Sequence, residues 1–431
     1  MPDSGAEIGA GRLARPRRGA VRRIVGMLCL TYVLSHYLRA SHGVIAPDLI
    51  REFALSPEQL ALLTAAFFIT FAAAQIPVGM LLDRFGPRRT LYSLLVFAVA
   101  GTLLFPMADS VAGLALARAL MGLGCAAMAM AAVVTFARWV RPDRFAAVSG
   151  LLFAAGGAGG LLATTPLALA AQSWGWRATF YLLAAAAVLI GLIGWATVRD
   201  APPGHPALRR APESPMQVLR GVWTVLRTPV LWRISAATLV NYPAAITILA
   251  LWGAPFLYDR HGLDAVARGN VLLAMSVAMI VGYLAYGQLD RLLDTRKWLV
   301  VFGLAATAAP CLLLAVRPDL PVWAVTLLFA LLGGASAFGS LLVAHVRAIF
   351  PDHLFGRAAT INNMALVTGS ALLQAATGAV AGLFPAEQGH LPPEAYRAVF
   401  ACIAVALLAA LAVYLPVADA RPSADRAARG D

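Results

Sequence analysis

Twelve apolar stretches occupy most of this 431-residue chain, at about 24–47, 59–82, 90–108, 111–136, 146–171, 178–198, 232–257, 265–288, 298–316, 321–349, 358–384 and 395–416. A helix needs roughly 20 mostly apolar residues to cross a hydrocarbon core of about 30 Å, so each stretch is long enough for one crossing. The apolar runs are continuous and do not alternate, which calls for helices and not barrel strands, because a lipid-exposed backbone must satisfy its own polar groups. Hydrophobic residues make up 60% and charged residues 13% of the chain, a balance that excludes an ordinary water-soluble domain. The expected fold is therefore an all-α membrane protein.

Lys and Arg gather on the cytoplasmic side of short loops. With the N-terminus inside, 26 of the 34 basic residues fall on that side, which places both termini in the cytoplasm. The formal charge of +13 is thus a consequence of topology and gives no reason to expect a nucleic-acid partner. Arg12, Arg15, Arg17 and Arg18 precede the first apolar run as in a signal peptide, but no small-residue cleavage site closes a short apolar core, so the first span reads as an uncleaved anchor. Cys29, Cys125, Cys311 and Cys402 all fall within spans without metal-ligand spacing and read as packing residues.

The chain repeats itself. Gly79-Met-Leu-Leu-Asp83-Arg84-Phe85-Gly86-Pro87-Arg88-Arg89 follows span two, and Gly287-Gln-Leu-Asp290-Arg291 follows span eight, with Arg296 and Lys297 close behind. After spans four and ten, Arg138, Pro142 and Asp143 correspond to Arg347, Pro351 and Asp352 at a constant offset. A six-span unit has been duplicated, which divides the chain into a basic N-tail (1–23), an N-terminal bundle (24–198), a Pro-rich linker with an interfacial helix (199–231), a C-terminal bundle (232–416) and a C-tail (417–431).

The loop after span two resembles the signature of the major facilitator superfamily, with Pro87 between the glycine and the arginine pair as a departure from its plainest form. The resemblance implies two six-helix bundles related by a pseudo-two-fold axis, a substrate site between them, and a loop that latches the cytoplasmic side shut. Asp83 can accept hydrogen bonds from a helix N-terminus, and Arg84, Arg88 and Arg89 can pair with carboxylates on neighbouring inner loops. Arg118-Ala-Leu-Met-Gly122-Leu-Gly124 in span four is similar to a second motif of the superfamily. Its Arg118 is either buried against protein or snorkels from a membrane end. Gly150, Gly156, Gly157, Gly159 and Gly160 in span five read as helix-packing positions.

Span one carries the candidate substrate site. Thr31, Ser35, Arg39 and His42 fall on one stripe of an otherwise apolar helix, flanked by His36 and Tyr37, so the stripe should face a cavity and not lipid. An Arg near the bilayer centre costs roughly 2.5–3.5 kcal/mol on insertion scales and needs a compensating partner. The sequence offers no Asp or Glu away from the span ends, and an anionic substrate would fill that role, since a guanidinium forks onto carboxylate or phosphate. Span one and Gln75-Ile-Pro-Val-Gly79 in span two also resemble the organic-anion and sugar-phosphate branches of the superfamily, in which the span-one Arg is implied to bind substrate. Span seven offers Asn241, Tyr242 and Trp252 where phosphate-ester carriers are expected to supply a second basic residue, which favours a carboxylate. Gln374 in span eleven is a further contact candidate, and Asn362 and Asn363 support the inner gate. His36, His42 and His345 are the candidate proton carriers.

The expected function is secondary transport of a small organic anion across a bacterial inner membrane, by a monomer that needs no cofactor and has solute and lipid as its partners. Efflux of a hydrophobic compound and a non-transporting sensor or assembly role are the alternatives. No catalytic set lies outside the spans, so an enzyme is not expected.

Overall fold

The computed structural model describes residues 18–55, 57–203, 205, 215–384 and 391–427. The N-tail arginines 12, 15 and 17 and the linker prolines 206 and 212 lie outside the described residues. Among the described residues ten helices are long and apolar enough to cross a membrane: Pro87–Met107, Val111–Trp139, Pro142–Trp174, Trp176–Thr197, Pro229–His261, Val266–Leu293, Lys297–Val316, Val322–Ile349, Asp352–Ala381 and Pro393–Tyr414. The pair Leu62–Ala73 and Gln75–Phe85, bent by 43°, forms an eleventh crossing, span two. Span one, Arg18–Val44, has 27 residues, or about 40 Å of helix, and completes the twelve. Its stripe of polar residues keeps it out of the purely apolar set.

Several spans are broken where the hydropathy reads as continuous. Span two breaks at Ala74, span five between Leu162 and Thr165, and span seven between Thr238 and Asn241. Each break precedes a proline, at 77, 166 and 243, whose ring collides with the carbonyl four residues earlier and which has no N–H to give. Span seven also contains a π-turn at Ile248–Trp252. Span four breaks between Cys125 and Met128, and span ten between Ala335 and Gly339, both without proline.

The duplication extends to contacts that the loop motifs did not reveal. Asp200, just past span six, accepts a 2.6 Å bond from the Arg88 backbone N–H at the start of span three. Asp419, just past span twelve, accepts from the N–H groups of Arg296 and Lys297 at the start of span nine, at 3.1 and 2.9 Å. Both lie in the short pattern Val-x-Asp-Ala, at 198–201 and 417–420. Each caps orphan helix donors next to the corresponding loop of its own half.

Span five is the seam between the bundles. A Cβ at Gly150 would lie 2.3 Å from the Tyr283 carbonyl oxygen of span eight, one at Gly157 2.8 Å from Ile280, and one at Gly159 2.4 Å from the Val33 carbonyl of span one. The packing role expected for these glycines holds, except that a Cβ at Gly160 would meet nothing within 4 Å. Because the obstacle at Gly150 is main chain, Gly150→Val is expected to cost about 1–3 kcal/mol through overpacking. A thermal melt of the purified variant would read this as a lowered midpoint, and an unchanged midpoint would refute the close approach.

Candidate functional site

About three turns of span one place Tyr32, Ser35, His36, Arg39 and His42 along the inside of the N-terminal bundle. The Arg39 guanidinium lies 4.9 Å from the Phe71 ring centre and 5.9 Å from that of Phe68, both on span two. Its Nε has no hydrogen-bond partner and it makes no ion pair among the described residues. Ring quadrupoles attract the cation but leave its N–H donors unused. The Ser35 hydroxyl, 1% exposed, faces Cys125 of span four. His42 is tied down at one end, with Nε2 2.7 Å from the Thr64 hydroxyl of span two.

Toward the second bundle the wall is aromatic. Tyr32 packs edge-on against His36 at 4.6 Å, and Gly156 of span five lets both approach, since a Cβ there would stand 2.6 Å from Tyr32 and 2.9 Å from His36. Tyr32 then meets Phe153 of span five at 6.2 Å, and Phe153 meets Tyr283 of span eight at 5.6 Å, which carries the wall across the seam. Tyr242 of span seven lies within electrostatic reach of Arg39, Tyr32 and Tyr283. Beside it Asn241 is 1% exposed, and neither amide atom has a hydrogen-bond partner among the described residues. Residues from both halves thus lie around the Arg39 cation, with Arg118 as a second cation within electrostatic reach on the side of the first bundle.

Not every residue expected here belongs to this group. Trp252 is buried within the second bundle, where its indole donates to Thr377 at 2.9 Å. His345 is held at the opposite end of span ten: Nε2 donates to the Ala418 carbonyl at 3.0 Å and Nδ1 accepts from the Tyr414 hydroxyl at 2.8 Å. It does for the second half what Trp139 does for the first, where the indole bonds the Arg199 carbonyl, so both nitrogens are engaged in packing spans together and neither is left to carry a proton. Tyr37 is half-buried against the apolar core, and the half-buried Gln374 side chain makes no hydrogen bond among the described residues. Phe153 and Tyr283 escaped the sequence reading because an aromatic in an apolar span carries no periodic signal.

Arg118 is 1% exposed. It donates to the Leu38 carbonyl at 2.8 Å and the Leu63 carbonyl at 3.3 Å, and lies over Phe67 at 4.6 Å. The snorkelling alternative is thereby removed. Arg118 and Gly122 also sit apart from the loop motif, because span four starts at Val111 on the face opposite the chain ends. Gly122 admits span two, a Cβ there falling 2.2 Å from the Phe67 carbonyl.

On the face that carries the chain ends the bundles are bolted together. Asp83 and Arg357, each with a side chain 2% exposed, form an ion pair at 2.9 Å between span two and the start of span eleven. The Arg357 backbone N–H also donates to Asp83, at 3.3 Å, and a Cβ at Gly356 would collide with the same carboxylate at 2.2 Å. Gly79 performs the same service one turn earlier, against Thr360. Asn363 donates to Gln75 across the seam at 2.8 Å, whereas Asn362 faces its own bundle and accepts from Ser235 and Thr238. The Arg347 guanidinium donates to the Ala137 carbonyl and lies over Phe145 at 4.7 Å.

The other loop residues do not match the expected pairing. Gly86 has φ +82°, a conformation suited to glycine, and brings the Asp200 carboxylate against the turn. Arg88 donates to the Trp195 carbonyl and stacks on that ring at 4.2 Å. Arg84 and Arg89 are exposed and form no carboxylate pair among the described residues. Asp290 takes Arg296 of its own loop at 3.2 Å, both buried, while Arg291 is exposed. The position matching Arg357 in the first half is Val148, so the first half does not offer Asp290 the arginine that the second half offers Asp83. Asp143 pairs with Arg141 at 3.1 Å, Arg138 is half-buried, and Asp352 is exposed in the first turn of span eleven.

The Major Facilitator Superfamily model matches residues 28–294 and again 269–430. The chain belongs to the major facilitator superfamily. Its fold is similar to that of the proton:xylose symporter XylE, with a TM-score of 0.72 over 94% of this chain and 97% of that one at 17% identity, a likeness of fold alone. The probable sulfoacetate transporter SauU of Cupriavidus necator is 28% identical over 187 residues, 42% of each chain. The hexuronate transporter of Bacillus subtilis is 22% identical over 61% of this chain and 63% of its own. The membrane sensor protein UhpC of Escherichia coli is 24% identical over 62% and 64%. The aligned parts thus span between about two fifths and just under two thirds of these relatives.

Proposed function

We propose that this superfamily member is a secondary transporter for a small organic anion, with Arg39 as the anchor of its carboxylate. The observation that carries the reading is the guanidinium itself: it lies among aromatic rings, has an unused donor, and has no ion-pair partner among the described residues. Taking such a cation out of water is costly unless a counter-charge joins it, and a bound carboxylate supplies one together with two acceptors for the fork. Relatives named for sulfoacetate, hexuronate and galacturonate carry the same kind of solute. Asn241, Tyr242 and Tyr283 then receive the solute's far end from the second bundle, so that a ligand bridges the two halves.

In this reading the face with the chain ends is cytoplasmic and closed, and the site opens to the other side. Rocking of the halves breaks the Asp83–Arg357 pair and reverses access. His36, whose Nε2 has no hydrogen-bond partner among the described residues, is the candidate proton carrier, taking a proton once a bound anion neutralises the Arg39 cation beside it. The similarity to UhpC favours a second reading, a sensor that binds the anion without moving it.

Thermal melting of the purified protein with carboxylates, phosphate esters, cationic drugs and neutral solutes tests the assignment, because a ligand of the folded state raises the midpoint. A carboxylate is expected to stabilise. Stabilisation by cationic or neutral compounds alone would overturn it.

A further inference from the structure

The helix Pro215–Leu226, between the bundles, has two unlike faces. The inner one holds Gly221, which is buried, and Val225, which is 0% exposed. A Cβ at Gly221 would fall 1.8 Å from Nη1 of Arg357 and 3.1 Å from Leu354, so the helix lies directly on the cation that pairs with Asp83. The outer face presents Met216, Arg220, Trp223 and Arg227, one helical stripe. Met216 is 59% and Trp223 56% exposed, and both arginines are exposed. The Arg227 guanidinium stands 4.6 Å from the Trp223 ring. Trp232, 51% exposed, and Arg233 extend the patch onto the start of span seven, where the Trp232 indole bonds the Leu226 carbonyl at 2.7 Å.

We propose that this stripe is a binding surface for anionic phospholipid headgroups, and that a lipid held there keeps the linker helix seated on the Asp83–Arg357 closure. Two residues separate the helix from span seven, so its outer face stays at the level of the bilayer surface. Between 215 and 233 the chain has three arginines and no acidic residue. Arginine paired with an exposed tryptophan suits the headgroup region, where the indole takes the glycerol level and the guanidinium takes the phosphate. Each basic residue near an anionic surface contributes in the same direction. A zwitterionic headgroup offers no net charge to this patch. The inference stands on the placement of this helix and does not use the substrate assignment.

The test is hydrogen exchange of residues 215–226 in nanodiscs of phosphatidylcholine with or without phosphatidylglycerol, without any transported solute. Phosphatidylglycerol is expected to slow exchange in this helix and in residues 352–360, and Arg220→Gln with Arg227→Gln is expected to abolish the difference. Native mass spectrometry should show the wild type retaining phosphatidylglycerol and the double variant losing it, with an unchanged melting midpoint in detergent as evidence that the variant folds. Exchange equally slow in both lipids, or the same response from free glycerol phosphate, would overturn the proposal.

Discussion

Arg39→Ala is expected to lose the carboxylate-induced rise in melting temperature while the empty protein melts no lower than the wild type. The two halves of this result come from one cause. In the empty protein the half-buried Arg39 has aromatic rings beside it but no ion-pair partner among the described residues, so removing it takes away a charge without a counter-charge there. In the occupied protein it makes charge-assisted hydrogen bonds, each contributing about 1.5–3 kcal/mol, so affinity should fall roughly ten- to more than a hundred-fold. Arg39→Lys keeps the charge and loses the planar fork, and an intermediate affinity is expected. A lowered midpoint of the empty variant with ligand affinity intact would make Arg39 a structural residue.

The second large effect is expected at the closure. Asp83→Asn leaves Arg357 buried, 2% exposed, without its counter-charge. Breaking a buried pair from one side costs about 3–5 kcal/mol, enough to move a two-state equilibrium by a factor of 100 or more. The closed arrangement should therefore give way to one open at the face with the chain ends, seen as faster hydrogen exchange around 79–86 and 352–360. Adding Arg357→Gln removes the stranded charge and should restore part of the protection. If Asp83→Asn leaves exchange unchanged, the pair does not hold the bundles together.

What the sequence made readable were features with a period or a repeat. The spans emerge from hydropathy, and Arg39 stands out because nothing else charged lies so deep in span one. Asp83 was legible as a helix-end carboxylate, but its partner was not: Arg357 is 274 residues away and reads from sequence as one more basic loop residue. At Asp290 the motif is repeated but the arginine is not, since Val148 stands where the other half has Arg357. The helix breaks were available in Pro77, Pro166 and Pro243 but were hidden by averaging over long apolar windows. Arg118 and His345 show the remaining limit, since only packing reveals whether a polar side chain in a span meets carbonyls, as these two do, or open space.

The most direct test is uptake of the stabilising carboxylate into proteoliposomes containing the wild type or Arg39→Ala. The account predicts saturable uptake by the wild type, driven by an imposed proton or solute gradient, and none by the variant at the same reconstituted amount. Binding without uptake in the wild type would contradict transport and leave the sensor reading standing, and uptake indifferent to Arg39 would contradict the anion anchor.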